Sequence, residues 1–228
     1  MFEKVAKTPL PKQVEQALKE AIFSGRIKPG EKLNEEKLAS EMHVSRVPIR
    51  EALRLLGQQG IVTISENRGA YVTRLTASDV RELFEIRERL EPFAAALAAQ
   101  SLTARDTARL ATLLRRMETA AAEDDRLKFF RADLEFHRII WRLSGHRLLE
   151  KILGETCEVY FACIHDIYHE LPLDLQARYD RHEKFFEVFK SGDAGRAENS
   201  FRNMLGGYGR RLVADLHRVR KEEEDEQE

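Results

Sequence analysis

The sequence predicts a mainly α-helical chain in two parts, a small N-terminal part with a β-hairpin and a larger all-helical part. Runs rich in β-branched and aromatic residues occur at 61–65 and 70–74, on either side of a turn. From residue 77 onward, apolar residues recur at helical spacing in long segments, among them 104–122 and 194–219, that predict a bundle of six or seven helices. Of the 228 residues, 43% are hydrophobic, which is enough to form cores. The predicted boundaries are a first domain at 1–75, a helical domain at 76–220 and an acidic, disordered tail at 221–228.

Charge and cysteine content narrow the function classes. The net charge is −1, but residues 1–75 hold 13 Lys and Arg against 9 Asp and Glu, so this part is basic and the remainder is acidic. A basic N-terminal part indicates contact with a polyanion. Two cysteines exclude a disulfide scaffold, and no segment has the roughly 20 apolar residues of a membrane span. Because the N-terminus also lacks the apolar core of a signal peptide, we expect a cytoplasmic protein that does not contact a membrane.

Three short helices are predicted in the N-terminal part. The first covers about 11–24 and carries apolar residues at helical spacing. The second begins at Asn34, whose side chain can cap free backbone N–H groups, and the third begins after Ser45, with Pro48 in its first turn. Three helices followed by a β-hairpin are the plan of a winged helix-turn-helix. The third helix is therefore expected to enter the major groove of DNA.

The string HVSRVPIREALRLL at 43–56 carries the strongest functional signal. Arg46 and Arg50 lie four residues apart, so they share one face of the first two turns, opposite an apolar face. A guanidinium matches the two acceptors of guanine, and Ser45 at the helix start can donate to a phosphate. The same pattern also fits an ordinary amphipathic helix with solvated arginines. At the tip of the hairpin we expect contacts to the minor groove or its phosphates from Asn67, Arg68 and Gly69.

The segment 29–72, PGEKLNEEKLASEMHVSRVPIREALRLLGQQGIVTISENRGAYV, closely resembles the DNA-binding domain of the GntR family of bacterial transcriptional regulators. The resemblance covers nearly the whole N-terminal part. It implies that Arg46 and Arg50 contact bases and that Arg68 and Gly69 belong to the wing tip.

Two positions depart from the family pattern. His43 stands where the family usually has glycine in the turn between the helices, and histidine tolerates a left-handed conformation better than most residues. Glu36 occupies a position where some relatives carry a DNA-contacting arginine. That contact is therefore not expected in this chain.

Polar side chains interrupt the apolar stripes of three helices in the C-terminal part. Arg87 lies on one stripe and His182 on another, while His137 lies on a third with Asp133 one turn before it. Burying such groups is costly unless they are paired, hydrogen-bonded or bound to metal, and together they can line one cavity. Asp133 and His137 can supply an oxygen and a nitrogen to one ion, with His182 as a third ligand. The alternatives are ordinary core histidines with hydrogen-bond partners, and a buried salt bridge between Arg87 and Glu91.

The C-terminal part looks like the FCD ligand-sensing domain of the FadR-type branch of GntR regulators, in ELFEIRERLEPFAAALAA (82–99), RADLEFHRII (131–140), SGHRLLEKI (144–152) and YDRHEKFFEVFKSGDAGRAENSFRNML (179–205). Many such domains bind zinc, nickel or manganese through an Asp, a His four residues later and two further histidines. The resemblance gives the first three positions to Asp133, His137 and His182. It gives the fourth to Met204, whose thioether is a poor ligand for these ions. Either water or an effector oxygen completes a three-ligand site, or the site has lost its metal and kept its cavity, as in acyl-thioester-responsive members.

The residues and the resemblance together predict a ligand-responsive, sequence-specific transcriptional regulator that binds an operator of two-fold symmetry as a homodimer. The resemblance implies small organic acids as effectors and repression that the effector relieves, with activation as the alternative. A guanidinium in an apolar cavity can clamp a carboxylate at two points, so Arg87 is the candidate that binds the effector. A metal-dependent enzyme using Asp133, His137 and His182 is one other class, but no nucleophile triad or phosphate loop accompanies them, so no catalytic residue is assigned. An architectural DNA-binding protein without sequence preference is the other.

Overall fold

The computed structural model describes residues 8–65, 68–170 and 173–225, except the side chains of 164–170 and 219–225. The chain divides into two compact units, Met1–Arg74 and Leu75–Glu228. The first combines three helices with a small sheet, and the second is helical throughout its described residues. None of the described helices carries a stretch that is long and apolar enough to cross a membrane.

The first unit contains helices α1 (Leu10–Phe23), α2 (Glu35–Glu41) and α3 (Arg46–Gln58). The side chain of Asn34 accepts hydrogen bonds from the backbone N–H groups of Glu36 and Lys37, so it caps α2 as the sequence predicts. Pro48 lies in the first turn of α3, where its missing N–H costs little. The apolar faces of α1 and α3 pack together through Val14, Leu18, Ile22, Ile49, Ala52, Leu53 and Leu56, all of which are buried.

A three-stranded antiparallel sheet completes the first unit. Its strands are β1 (Lys32–Leu33), β2 (Val62–Ser65) and β3 (Gly69–Val72), in the order β1-β3-β2. β2 and β3 form the predicted hairpin, with Val62 opposite Val72 and Ser65 opposite Gly69. The sequence did not predict β1, because two residues are too few to show an alternating pattern. The turn residues Glu66 and Asn67 lie outside the described part of the chain.

The second unit contains seven helices among its described residues, in agreement with the predicted six or seven. Their order is α4 (Ala77–Ala99), α5 (Ala104–Ala122), α6 (Arg126–Leu143), α7 (Arg147–Glu170), α8 (Leu175–Phe189), α9 (Ala194–Leu205) and α10 (Tyr208–Asp225). Capping boxes start two of them, from Thr76 with Asp79 at α4 and from Thr103 with Asp106 at α5. Helix α4 packs against α6, α7, α9 and α10, so its buried face forms the centre of the unit.

Two predictions about the C-terminal end were wrong. The sequence predicts one helix over 194–219, but the chain breaks it at Gly206 and Gly207, where the φ of Gly207 is +70°. Glycine adopts this left-handed conformation without steric cost, so α9 ends and α10 begins in a new direction. The tail predicted to be disordered from residue 221 instead continues α10 as far as Asp225. Glutamate and lysine are good helix formers, which favours this extension.

Candidate functional site

The turn between α2 and α3 adopts the conformation that the sequence predicts. His43 has a φ of +53°, the left-handed region in which the family usually has glycine. This turn presents the beginning of α3 to solvent, where Ser45 is the N-cap residue. The Ser45 hydroxyl makes no capping hydrogen bond to the helix. It is therefore available to donate to a phosphate group at the positive end of the helix dipole.

Arg46 and Arg50 project from the exposed face of α3, with side chains 58% and 61% exposed. Both contact one carboxylate, that of Glu35 at the start of α2. Arg50 Nη2 lies 2.9 Å from Glu35 Oε2 and Arg50 Nε lies 3.2 Å from Oε1, while Arg46 Nη2 lies 3.4 Å from Oε2. This triad of Glu35, Arg46 and Arg50 was not predicted, because Glu35 lies 11 and 15 residues away from its partners in the sequence.

The hairpin places Arg68 at its exposed tip, followed by Gly69 with a φ of +90°. Tyr71 donates its hydroxyl to the backbone oxygen of Arg68 at 2.9 Å, which ties the tip to β3. Asn67, the third residue predicted for this contact, lies outside the described residues. The tip therefore offers a cation on a short, anchored turn, as contact with a minor groove requires.

A buried polar cluster forms the second candidate site, and α6 and α8 supply its centre. The described residues include one group of three potential metal ligands, Asp133, His137 and His182, all buried. Asp133 Oδ1 lies 2.9 Å from His182 Nε2 and 3.2 Å from His137 Nε2, and the two Nε2 atoms are 3.4 Å apart. The structure thus brings together the three residues that the sequence singled out.

The outer nitrogens of both histidines are held by hydrogen bonds. His137 Nδ1 lies 2.5 Å from Glu91 Oε2, and His182 Nδ1 lies 2.8 Å from the backbone oxygen of Arg178. Because each Nδ1–H is donated outward, each Nε2 is directed at Asp133 Oδ1. A carboxylate or backbone acceptor behind a histidine is the usual support of a metal-ligating imidazole, since it fixes the tautomer and the ring orientation.

Glu91 connects this cluster to Arg87 on α4. Its carboxylate accepts from Arg87 Nε at 2.5 Å and from Trp141 Nε1 at 3.0 Å, in addition to His137. Although burial alone raises the pKa of Glu91, Arg87 and His137 lower it to about 2. The salt bridge considered as the alternative role of Arg87 is therefore present. One guanidinium nitrogen, Arg87 Nη1, is buried without a hydrogen-bond partner among the described residues.

Arg178 on α8 is a member of the cluster that the sequence interpretation missed. Its Nη2 donates to Asp133 Oδ2 at 3.0 Å and its Nη1 donates to the hydroxyl of Tyr208 at 2.5 Å. Burial raises the pKa of Asp133, but Arg178 and His182 outweigh this and hold it well below its usual value. Arg178 precedes His182 by one helical turn, so the signal was its position on the same face of α8.

The three ligand atoms fit a divalent cation. Within the described part of the chain, Asp133 Oδ1 has no assigned hydrogen-bond partner, although it lies 2.9 Å from His182 Nε2 and 3.2 Å from His137 Nε2. Ligands that bind one cation at ~2.0–2.2 Å lie roughly 3 Å apart, as these three atoms do. Met204, to which the resemblance gives the fourth ligand position, lines a cavity of about 20 Å³ beside His137 and His182. This volume holds about one water molecule.

Two family models match the chain. Residues 10–72 match the model described as bacterial regulatory proteins, gntR family, and residues 82–207 match the FCD domain. The first covers the three helices and the sheet of the first unit. The second covers the helices that carry the buried cluster.

Curated relatives and solved structures agree with these matches. The transcriptional regulator YdhC of Bacillus subtilis is 35% identical over 159 residues, which are 68% of this chain and 70% of that protein. The gluconate operon transcriptional repressor of Bacillus licheniformis is 30% identical over 77% of this chain and 74% of that protein. McbR of Escherichia coli has the same fold, with a TM-score of 0.79 and 24% identity over 93% of this chain and 99% of that structure. The chain therefore belongs to the GntR family of bacterial regulatory proteins, and it is a transcriptional regulator with an FCD domain rather than an enzyme.

Proposed function

We propose that the chain is a sequence-specific repressor that a small organic acid releases from its operator. The observation that carries this proposal is the convergence of Asp133 Oδ1, His137 Nε2 and His182 Nε2 on one point inside a helical unit joined to a DNA-binding unit. A divalent cation held there, zinc, nickel or manganese, supplies a Lewis-acid site for a carboxylate oxygen. The name of one relative, a gluconate operon repressor, supports regulation by a sugar acid.

The DNA-binding half of the proposal assigns base contacts to Arg46 and Arg50. Both arginines are exposed on the first two turns of α3, the part of a recognition helix that faces base edges. Ser45 donates to a phosphate, and Arg68 with Gly69 contacts the minor groove or its backbone. Asn67 remains a prediction from the sequence for the same wing contact.

The effector half places the acid beside the cluster, in contact with Arg87 Nη1. A buried guanidinium nitrogen without a partner favours a ligand that brings an acceptor oxygen. The cavity of about 20 Å³ is too small for an organic acid, so the lining must move when the effector enters. Met204 and Tyr208 line this cavity from α9 and α10. Effector binding therefore favours a second arrangement of these helices. Because the two arrangements bind the operator with different affinities, effector binding changes the operator affinity of the protein.

The proposed homodimer has a candidate interface on α4 and α7. Ile86 and Phe93 of α4 lie seven residues apart on one helix face, and Leu148 and Ile152 of α7 lie four apart. All four are at least 39% exposed, although they are large and apolar. The two helices pack against each other, and the ring of Phe93 lies 6.2 Å from that of His146. A second copy of the chain would cover this apolar surface, and the dimer would present two DNA-binding units to a symmetric operator.

Met204 favours a second candidate, a metal-free regulator that senses an acyl thioester or another effector. In place of a fourth nitrogen ligand the site has a thioether, which binds these cations poorly. In this version Asp133 is held by its ion pair with Arg178 and its contacts to His137 and His182, and the cavity takes the effector without a metal. Metal content separates the two candidates.

Operator selectivity tests the DNA-binding proposal. Full-length protein is used to select duplexes from a randomised library, and the affinity of the enriched sequence is compared with that of random duplex. We expect a symmetric enriched sequence, and we expect Arg50→Ala to weaken its binding by about 1–3 kcal/mol and to relax the base preference. A wild type that enriches no sequence, or an Arg50→Ala variant that weakens all duplexes equally, would contradict the proposal.

A further inference from the structure

The carboxylate of Glu35 lies between the two arginines of α3 and contacts both. Asn34 caps α2 and so fixes the first turn of that helix, in which Glu35 is the first residue. Glu35 is partly buried, with 26% of its side chain exposed, whereas the arginines are more than half exposed. The carboxylate is thus the better-anchored member of the triad, and the arginines are arranged around it.

The contact uses one particular edge of the Arg50 guanidinium. Nε and Nη2 both donate to Glu35, in a two-point contact of the kind that fixes the guanidinium plane. A guanidinium has five N–H groups, so three remain: the two on Nη1 and the second on Nη2. One N–H of Nη1 and the remaining N–H of Nη2 lie on the Nη1–Nη2 edge, which is the edge that can donate twice to O6 and N7 of guanine.

We propose that Glu35 is a specificity-determining positioning residue, which holds the Nη1–Nη2 edge of Arg50 toward the bases and disfavours phosphate contacts by the same two arginines. This inference rests on the proposed role of Arg46 and Arg50 as base contacts. Without the carboxylate, two cations one turn apart repel each other, and their long side chains move between bases and phosphates.

The electrostatics of the triad agree with this role. The hydrogen bonds from Arg50 lower the pKa of Glu35, so the carboxylate is ionised throughout the neutral range. The negative charge of Glu35 between Arg46 and Arg50 reduces the attraction of this surface for any DNA backbone. It therefore weakens sequence-independent binding more than binding to the operator, because base contacts at the operator compensate for the lost attraction to phosphates. Selectivity depends on this difference between two affinities rather than on either affinity alone.

Glu35→Gln tests the inference, with Glu36→Gln as its matched control. Both substitutions remove one negative charge from the first turn of α2, but Glu36 is exposed and has no ion pair with a described residue. The sequence that wild-type protein enriches from a randomised duplex library serves as the specific probe, and random duplex serves as the non-specific one. Affinities are measured over a range of salt concentrations.

We expect Glu35→Gln to raise the affinity for random duplex and to lower the ratio of specific to non-specific affinity by about 10-fold, the share of one bidentate base contact. Glu36→Gln is expected to leave this ratio within about 2-fold of wild type, because a charge without a partner acts on both duplexes alike. In a second selection, Glu35→Gln should enrich sequences that are more degenerate at the position of Arg50.

Three results would overturn the inference. The first is a ratio of specific to non-specific affinity for Glu35→Gln that equals the wild-type value, and the second is a ratio that rises. The third is a ratio that falls by the same factor in Glu35→Gln and Glu36→Gln. Arg50→Ala separates these failures from a failure of the proposed function. If Arg50→Ala lowers the ratio and Glu35→Gln does not, the base contact stands and only the role of Glu35 is wrong. If neither Arg50→Ala nor Glu35→Gln changes the ratio, the proposed base contacts of Arg46 and Arg50 are wrong. The circular dichroism and thermal unfolding of Glu35→Gln should match wild type.

Discussion

Glu91 is the residue on which the buried cluster depends most. Its carboxylate is fully buried and joins Arg87, Trp141 and His137, so it links the guanidinium of α4 to the histidine that faces Asp133. An ionised group in this position is stable only because every neighbour donates to it. Removing one member of such a network leaves the others buried and unpaired.

Substituting Glu91 should therefore affect both stability and metal binding. We expect Glu91→Gln to lower the free energy of unfolding by about 3–5 kcal/mol, since it leaves Arg87 as an uncompensated buried charge. Metal affinity should fall about 10- to 100-fold, because His137 loses the acceptor that orients its ring. Denaturant unfolding and zinc titration measure the two effects. Glu85→Gln, an exposed change on the same helix, should alter neither, and equal effects of the two variants would argue against this role.

The protonation of His137 makes metal binding depend on pH. Burial lowers the pKa of His137, but Glu91 and Asp133 outweigh it and raise the pKa above its usual value. A proton on Nε2 occupies the lone pair that a cation needs, so protons and metal compete for this atom. We expect zinc affinity to fall as the pH decreases through this raised pKa, which a titration between pH 8 and pH 5, about the range of histidine ionisation, would follow. Affinity independent of pH over that range would exclude His137 as a ligand.

At the scale of elements, the start of α10 depends on close packing against α4. Gly209 is buried, and a Cβ atom added to it would lie 2.5 Å from side-chain atoms of Phe84. Phe84 also contacts Tyr208 and Tyr160, with ring centroids 5.6 Å and 5.3 Å away, so it cannot easily give way. The glycine is thus required by the neighbouring helix rather than by its own backbone.

This close packing gives a paired prediction. We expect Gly209→Ala to lower the free energy of unfolding by about 1–3 kcal/mol, the usual cost of overpacking a core. At Gly154, inside α7, an added methyl group would meet no described atom within 4 Å apart from the local backbone of its own helix, so Gly154→Ala should stabilise the protein by roughly 0.5–1 kcal/mol. Thermal unfolding of the two variants checks both signs. Equal stability of the two would mean that α10 does not pack on α4 as described.

The sequence predicted most elements, and the exceptions have physical reasons. Long amphipathic segments such as 104–122 were predicted to the residue, because their apolar spacing and capping residues agree. Strand β1 was missed because only its pairing with β3 defines it. The break at Gly206 and Gly207 was missed because it depends on the left-handed backbone conformation of Gly207. In the buried cluster, the helical spacing of apolar residues identified His137 and His182 as polar residues on apolar stripes. On the DNA-binding face, no such pattern could identify Glu35, because its partners are distant in sequence and only the fold brings them together.

At the scale of the whole molecule, the apolar surface of α4 and α7 predicts the oligomeric state. We expect sedimentation to show a homodimer that Phe93→Ser with Leu148→Ser dissociates, because the two changes remove the most exposed large apolar side chains of that surface. Ile64→Thr removes an exposed apolar residue from the sheet of the first unit and should leave the dimer intact. A wild type that is monomeric at micromolar concentration would contradict the interface, as would a dimer that the double variant does not weaken.

Metal content tests the central claim most directly, namely that the convergent Asp133, His137 and His182 form a metal-centred effector site. Full-length, tag-free protein is analysed by mass spectrometry beside His137→Ala and His217→Ala, a change of an exposed histidine on α10. We predict close to one zinc, nickel or manganese ion per chain in wild type and His217→Ala, and its loss in His137→Ala. If wild type binds none of these ions even when they are added in excess, the claim is wrong, and the metal-free regulator that Met204 favours takes its place.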